Sequence, residues 1–245
     1  MPIALITGTT AGIGAATAQI LAKNGYDLIL NGRRKDRLEE QSEEINSQYA
    51  IKTKVMHVDV RDHDAVKQYI ESLSLDWKSI DILVNNAGLA AGLNSIESGS
   101  VDHWNRMIDT NIKGLLHVTK YATPLLKNTN GHIINIGSIA GKEVYLNGNV
   151  YCGTKHMVDA LNKAMRRELA EFGVRVTSIN PGAVETEFSV VRLDGDAEKA
   201  KDVYLGFENL VAQDIADAIW FAVSRPKHVN INELIIMPSA QPIQQ

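Results

Sequence analysis

The 245-residue chain contains a single cysteine, Cys152, which excludes an intramolecular disulfide framework and any multi-cysteine zinc or iron–sulfur site. A chain of this length buries a core that needs neither staple. Its seven histidines show no metal-ligand spacing, so no metal site is expected. Basic charge is also short. The 25 Lys and Arg against 29 Asp and Glu leave a net charge of −4, which argues against a nucleic-acid partner and against a membrane-binding face. Met1 to Ala22 carry no charged side chain. That stretch nevertheless lacks a basic start and is broken by Gly8, Gly12 and Gly14, so it reads as neither signal peptide nor spanning helix. No Asn-x-Ser/Thr site occurs, and a cytoplasmic protein is expected. Proline is scarce, with six residues, and no Pro/Gly-rich linker, low-complexity tract or repeat divides the chain. Residues 1–245 are therefore expected to form one domain.

What is present is alternation. Short apolar runs at Ile3–Thr7, Asp27–Asn31, Thr53–Val58, Ile80–Val84, His132–Ile136, Arg175–Ile179 and Glu233–Ile236 read as strands. Amphipathic stretches at Ile13–Asn24, Arg34–Tyr49, Asp62–Leu75, Val101–Lys127, Val150–Phe172 and Asp214–Val223 read as helices. This rhythm gives βαβ units and a parallel sheet covered on both faces. Pro124 should kink or restart the long Val101–Lys127 segment. Glu185 to Asn209 breaks the rhythm, being charged and without a clear strand. Ligands of open α/β sheets bind beyond the carboxyl ends of the strands. The insertion is thus a candidate substrate-covering loop, or simply a surface loop.

The first strand runs into Thr7-Gly8-Thr9-Thr10-Ala11-Gly12-Ile13-Gly14 and then into a helix. Glycines allow a tight turn and close approach of a pyrophosphate, whose charge a helix N-terminus favours. The second strand ends in Asn31-Gly32-Arg33-Arg34-Lys35, with no acid before Asp36. An acid at the end of this strand would select NAD by bonding its ribose 2′-OH. Arginines instead suit the 2′-phosphate of NADP. Arg33 and Arg34 are the candidates; Lys35 and Arg37 read as the solvated start of the next helix.

Tyr151 and Lys155 are four apart in a helical pattern, on one face and about 6 Å apart along the axis. A phenol with pKa near 10 is a poor base at neutral pH. An ammonium 4 Å away would favour the phenolate by roughly 4 kcal/mol, or about three pKa units, bringing it into range for general acid–base chemistry. Ser138 follows the strand His132–Ile136. Its surroundings, Gly137-Ser138-Ile139-Ala140-Gly141, are not G-x-S-x-G, and no histidine pairs with it by motif. It therefore reads as a hydrogen-bonding group for a substrate oxygen rather than a nucleophile.

Taken together, Thr7-Gly-x-x-x-Gly12-Ile-Gly14, Asn85-Asn86-Ala87-Gly88, Asn111, Ser138, Tyr151-x-x-x-Lys155 and Pro181-Gly182 resemble the short-chain dehydrogenase/reductase family over nearly the whole chain. The resemblance implies a doubly wound Rossmann-type α/β domain, strand order 3-2-1-4-5-6-7, that transfers hydride to or from a nicotinamide. Tyr151 would pass the proton, Ser138 would orient the substrate oxygen, Lys155 would hold the nicotinamide ribose, and Asn111 would order a water leading from Lys155. Gly8, Thr9, Gly12, Ile13 and Gly14 would form the cofactor turn. Asp59 and Val60 would meet the adenine, and Asn85, Ala87 and Gly88 would line the cofactor beside the fourth strand. Pro181, Gly182, Val184 and Thr186 would meet its carboxamide or diphosphate end. The family often has a basic residue inside the glycine turn; here Ala11 stands there, so the NADP expectation rests on Arg33 and Arg34.

A narrower similarity lies in Asp81–Ala90, Asn149–Lys155, Glu185–Arg192, Gly195-Asp196 and His228–Asn232, which look like the NADP-dependent 3-hydroxy acid dehydrogenases. That group acts on L-allo-threonine, serine and other 3-hydroxy acids. Such substrates carry a carboxylate, which a fixed cation should meet, and Arg192 is the candidate; the alternative is a surface charge. Family members often assemble as dimers or tetramers, so a homo-oligomer is expected. Two other readings stand beside this one: a broad carbonyl reductase of the same fold and cofactor, and a nucleotide-binding sensor without turnover. Cys152 reads as a small packed thiol.

Overall fold

The computed structural model describes residues 1–196, 198 and 206–241. In chain order the main elements are β1 (Ile3–Thr7), α1 (Gly12–Lys23), β2 (Asp27–Gly32), α2 (Lys35–Gln48), β3 (Thr53–His57), α3 (His63–Glu71), β4 (Ile80–Asn85) and α4 (Val101–Ile108). They continue as α5 (Leu115–Thr129), β5 (His132–Ile136), α6 (Asn149–Leu169), β6 (Arg175–Pro181), β7 (Val184–Glu185), α7 (Phe188–Arg192), β8 (Leu210–Val211), α8 (Ala212–Val223) and β9 (Glu233–Ile236). All seven expected strands form. They pair in parallel in the order β3-β2-β1-β4-β5-β6-β9, the expected order with β9 as the seventh strand.

Successive strand residues face opposite sides, and both sides are covered. Ile3, Leu5, Ile29, Leu83, Ile133 and Val176 pack into a layer with residues of α3, α5 and α6. Ala4, Ile6, Leu28, Leu30, Ile134 and Ile179 pack into another with residues of α1 and α8 and with Leu38 and Ile45 of α2. This two-sided burial is why the strands read as continuous apolar runs rather than as alternating ones. Each fully buried Leu or Ile contributes roughly 1.5–3 kcal/mol.

Two expectations are refined by the structure. Pro124 does not restart the segment, since α5 runs through it to Thr129. Pro124 and Lys120 are exposed, so the Lys120 carbonyl left without its N–H partner is on the solvent side, where water can bond it. The irregularity lies earlier, in a π-helical turn at Asp109–Gly114 that contains Asn111; such turns recur at functional sites. The interval from Glu185 to Asn209 holds no strand beyond its first residue among the described residues, but it is flanked by two. Its base is a short parallel pair, Val184 with Leu210 and Glu185 with Val211, so the excursion leaves and returns side by side. Residues 197 and 199–205 of that interval, and 242–245 at the end, lie outside the described residues. Among the described residues no helix is long and apolar enough to cross a membrane, and no group of His, Cys, Asp and Glu is disposed to hold a metal.

Candidate active site

Strand order reverses between β1 and β4, and there a cleft of about 380 Å³ opens beyond the carboxyl ends of the strands. One end lies at Arg33, Arg34 and Asp59, the other at Ser138, Tyr151 and Lys155.

The floor is the turn between β1 and α1. Gly8, Gly12 and Ile13 line the cleft. Gly12 has φ +54°, and a Cβ there would stand 3.2 Å from Thr186 Cγ2, so the two walls nearly touch at this point. Gly14 and Thr9 lie beneath rather than in the cleft. A Cβ on Gly14 would fall 2.1 Å from the Gly8 carbonyl oxygen, and the buried Thr9 N–H donates to Asn31 O at 2.9 Å. Helix α1 begins after Ala11 with no side-chain cap and no acid in its first turn. Its free N–H groups and positive dipole end are therefore left for an anion. Asn86, not singled out by the sequence reading although inside the quoted motif, donates from Nδ2 to Thr7 O (2.8 Å) and Gly8 O (3.0 Å), fastening the turn to the end of β4.

At the end of β2, Arg33 and Arg34 are exposed at the cleft mouth. Arg34 grips the turn itself, donating from Nε and Nη2 to Thr10 Oγ1 (3.0 and 2.7 Å) and from Nη2 to Thr10 O (3.1 Å). Its Nη1 reaches Glu187 Oε2 at 2.9 Å, and Arg37 Nη1 reaches Glu187 Oε1 at 2.9 Å. Arg37 is thus not merely a solvated helix start, whereas Lys35 pairs with Glu39 on its own helix. Asp59 and Val60 line the same end. Burial would raise the Asp59 pKa, but hydrogen bonds and charge from Arg61, aided by Arg33, hold the carboxyl below its ordinary value. Ala87, Gly88, Pro181, Gly182, Val184 and Thr186 form the walls. Asn85 does not; its buried Nδ2 donates to Thr119 Oγ1 and Asn135 Oδ1, both at 2.9 Å.

Ser138, Tyr151 and Lys155 converge as the spacing indicated. Ser138 Oγ accepts from Ala140 N at 3.1 Å, fixing the strand-end turn. Lys155 Nζ donates to Ile136 O at 2.8 Å and lies 6.0 Å from the centre of the Tyr151 ring. The expectation that Lys155 depresses the phenol is not met in this arrangement. Burial, with Tyr145 nearby, raises the Tyr151 pKa above 10, while the Ser138 hydrogen bond and the Arg192 charge pull the other way. Burial also brings Lys155 down to about 8. Two side chains removed from water resist ionising at once. Asn111 does not touch Lys155. Its side chain donates to Leu89 O (2.8 Å) and Thr154 Oγ1 (3.0 Å) and accepts from Leu89 N (2.8 Å), tying the π turn to α6.

Around Tyr151 the surroundings are apolar: Leu89, Met107, Ala140, Cys152 and Phe188 cluster with it, and the Phe188 ring stands 5.8 Å away, edge-on. Cys152 is the packed thiol expected. The exception is Arg192, which is buried rather than a surface charge. Its guanidinium lies 5.7 Å from the Tyr151 ring centre and 5.3 Å from that of Tyr145. It donates to Tyr145 Oη at 2.8 Å and Gly92 O at 3.4 Å. No carboxylate among the described residues pairs with it; the nearby Asp194 instead serves His103 and Arg106. Tyr145 carried no sequence signal.

A cleft at the switch point, an uncapped helix behind a glycine turn and a buried Ser–Tyr–Lys group suit dinucleotide binding with proton transfer. Residues 2–196 match the family described as short chain dehydrogenase. The chain belongs to that family. Among its relatives, the NADP-dependent 3-hydroxy acid dehydrogenase YdfG of Salmonella typhi is 43% identical over 241 residues, 98% of this chain and 96% of that protein. Serine 3-dehydrogenase of Rhizobium radiobacter is 44% identical over 237 residues, 97% of this chain and 94% of that protein. Among solved structures, the closed form of a serine dehydrogenase complexed with NADP+ superposes with a TM-score of 0.93 at 42% identity, covering 98% of this chain and 96% of that one. The resemblance drawn from the motifs is thereby borne out for this short-chain dehydrogenase, both for the broad family and for the narrower group.

Proposed function

We propose that the protein is an NADP-dependent oxidoreductase that moves a hydride between the cofactor and the hydroxyl-bearing carbon of a 3-hydroxy acid such as L-allo-threonine, serine or 3-hydroxyisobutyrate. The relatives named above carry that cofactor and those substrates in their names. The observation in this chain that carries the substrate reading is Arg192, buried beside Tyr151 without a carboxylate partner among the described residues. An unbalanced buried cation is costly, and a substrate carboxylate would balance it through a planar two-pronged contact.

The cleft suits NADP. The bare N-terminus of α1 behind Gly8, Gly12 and Ile13 would take the diphosphate, with Thr9 and Gly14 holding the turn in shape. Arg33 and Arg34 would take the 2′-phosphate, and Asp59 and Val60 would border the adenine. Ala87, Gly88, Pro181, Gly182, Val184 and Thr186 would flank the rest, with Asn85 bracing the wall from behind. The nicotinamide, when bound, supplies or takes up the hydride. Tyr151 gives its phenolic proton to the substrate oxygen in reduction and takes it back in oxidation. Ser138 hydrogen-bonds the same oxygen. Lys155, fixed by its hydrogen bond to Ile136 O, would hold the nicotinamide ribose. Asn111 acts by position, since its ties to Leu89 and Thr154 set the π turn behind Lys155, from which a water could lead protons away.

Residues 185–209 would cover the substrate, with Phe188, Val191 and Arg192 on the covering side, within a single domain spanning 1–245. Assembly as a dimer or tetramer is supported by the half-exposed Leu116 of α5 and Met157 of α6 on the two long helices. The lone buried thiol, Cys152, suits the cytoplasm. Replacing Arg192 by Ala tests the substrate reading. The expected result is a rise in KM for hydroxy acids of about 10- to 100-fold, the worth of a charged hydrogen-bonded contact, with neutral secondary alcohols little affected. Equal losses on both substrate types would remove Arg192 from the role.

A further inference from the structure

We infer that Glu187 is a cofactor-specificity residue that stands in for the 2′-phosphate: its carboxylate holds Arg34 and Arg37 until the phosphate displaces it, and its release frees α7, the helix that ends in Arg192. The inference rests on the NADP reading above.

The geometry is that of an anion site already filled. Glu187 places one oxygen on Arg34 Nη1 and the other on Arg37 Nη1, each at 2.9 Å, although it lies 153 and 150 residues away from them along the chain. Arg34 has its Nε and Nη2 committed to Thr10. Nη1 is therefore the edge left for a phosphate, and it is the one Glu187 occupies. Hydrogen bonds from the two guanidiniums keep the Glu187 carboxyl below its ordinary pKa, so at neutral pH it is an anion. A phosphate monoester brings a charge of about −1.5 to −2. It cannot share Arg34 with a carboxylate without repulsion, and it outbids one carboxylate for the site.

Glu187 is also well placed to transmit its release. It immediately precedes α7 and follows Thr186, which packs on Gly12. The far end of the segment is held separately, by Arg192 on Tyr145 and by Asp194 on His103 and Arg106. Loss of the Glu187 tie thus loosens the cofactor end of α7 while the substrate end stays anchored. NADP would unlatch the segment and NAD, lacking the phosphate, would not.

The test uses the full chain, wild type and Glu187→Gln, titrated calorimetrically with 2′,5′-ADP and with 5′-AMP, which differ only in the 2′-phosphate. Amide hydrogen exchange of residues 187–192 is followed in parallel. The expected result is that Glu187→Gln tightens 2′,5′-ADP about fivefold, the scale of two half-exposed ion pairs, and leaves 5′-AMP unchanged. In wild type, 2′,5′-ADP but not 5′-AMP speeds exchange across 187–192; in the variant exchange is already fast and insensitive to either. Equal affinity of wild type and variant for 2′,5′-ADP, or exchange that ignores the ligand in wild type, overturns the inference while the NADP reading stands. If wild type binds 2′,5′-ADP no better than 5′-AMP, the NADP reading fails and the inference with it.

Discussion

Burial acts in opposite senses on the two residues at the centre of the proposed chemistry. It pushes the Tyr151 phenol above its ordinary pKa and brings the Lys155 ammonium down to about 8. A charge brought close to either, whether a cofactor phosphate or a substrate carboxylate on Arg192, shifts that balance. Tyr151→Phe should cut turnover by about 10²- to 10⁴-fold, the usual worth of general acid–base catalysis, with NADP+ affinity by fluorescence titration nearly unchanged. Substantial residual turnover would refute the proton-transfer assignment. Ser138, Tyr151 and Lys155 were legible because strand-end position and helical spacing are local features. Glu187 and Tyr145 were not. Their partners Arg34 and Arg192 lie 153 and 47 residues away, and no local period encodes such pairs. Asn86 sat inside a quoted motif, yet only the folded turn shows that its side chain spans to Thr7 and Gly8.

Among the elements, the β1–α1 turn has the least freedom. A methyl group on Gly14 would meet the Gly8 carbonyl at 2.1 Å, a backbone atom that cannot swing aside, so Gly14→Ala must push α1 away from β1. The expected cost is about 1–3 kcal/mol or more, a fall in Tm of roughly 2–4 °C per kcal/mol at this size. Weaker NADP+ binding should accompany it, because the helix N-terminus moves with the turn. A variant with unchanged Tm and affinity would show that the contact is relieved at no cost. The glycine spacing announced this turn. The π turn at Asp109–Gly114 went unannounced, since an extra residue per turn leaves the apolar pattern of a helix nearly intact. The short β7–β8 pair was missed because two residues per strand are too few for a period.

For the whole molecule the sheet was the most legible feature, because strands buried on both faces are written as unbroken apolar runs. Polar groups inside it are less visible in sequence and set the response to acid. His132, at the start of β5, is buried with its Nε2 2.7 Å from Thr177 Oγ1. Thr177 donates to Ile231 O, so the ring nitrogen Nε2 serves as donor. Burial, and then the charge of Arg175, lower its pKa to about 3. Unfolding lets it protonate near its ordinary 6.5, so its stabilising effect is complete above that pH and is lost as pH falls from 6.5 toward 3. Denaturant titrations should find stability falling by up to about 1.4 kcal/mol per pH unit from this residue, with a shallower slope in His132→Gln; identical slopes would contradict the assignment. The central claim concerns the reaction of the molecule as a whole, and absorbance at 340 nm tests it most directly, with purified protein, L-allo-threonine and either NADP+ or NAD+. Rapid reduction of NADP+ with little of NAD+ is the predicted result. No reduction with L-allo-threonine, serine or 3-hydroxyisobutyrate, or equal rates with both cofactors, would contradict it.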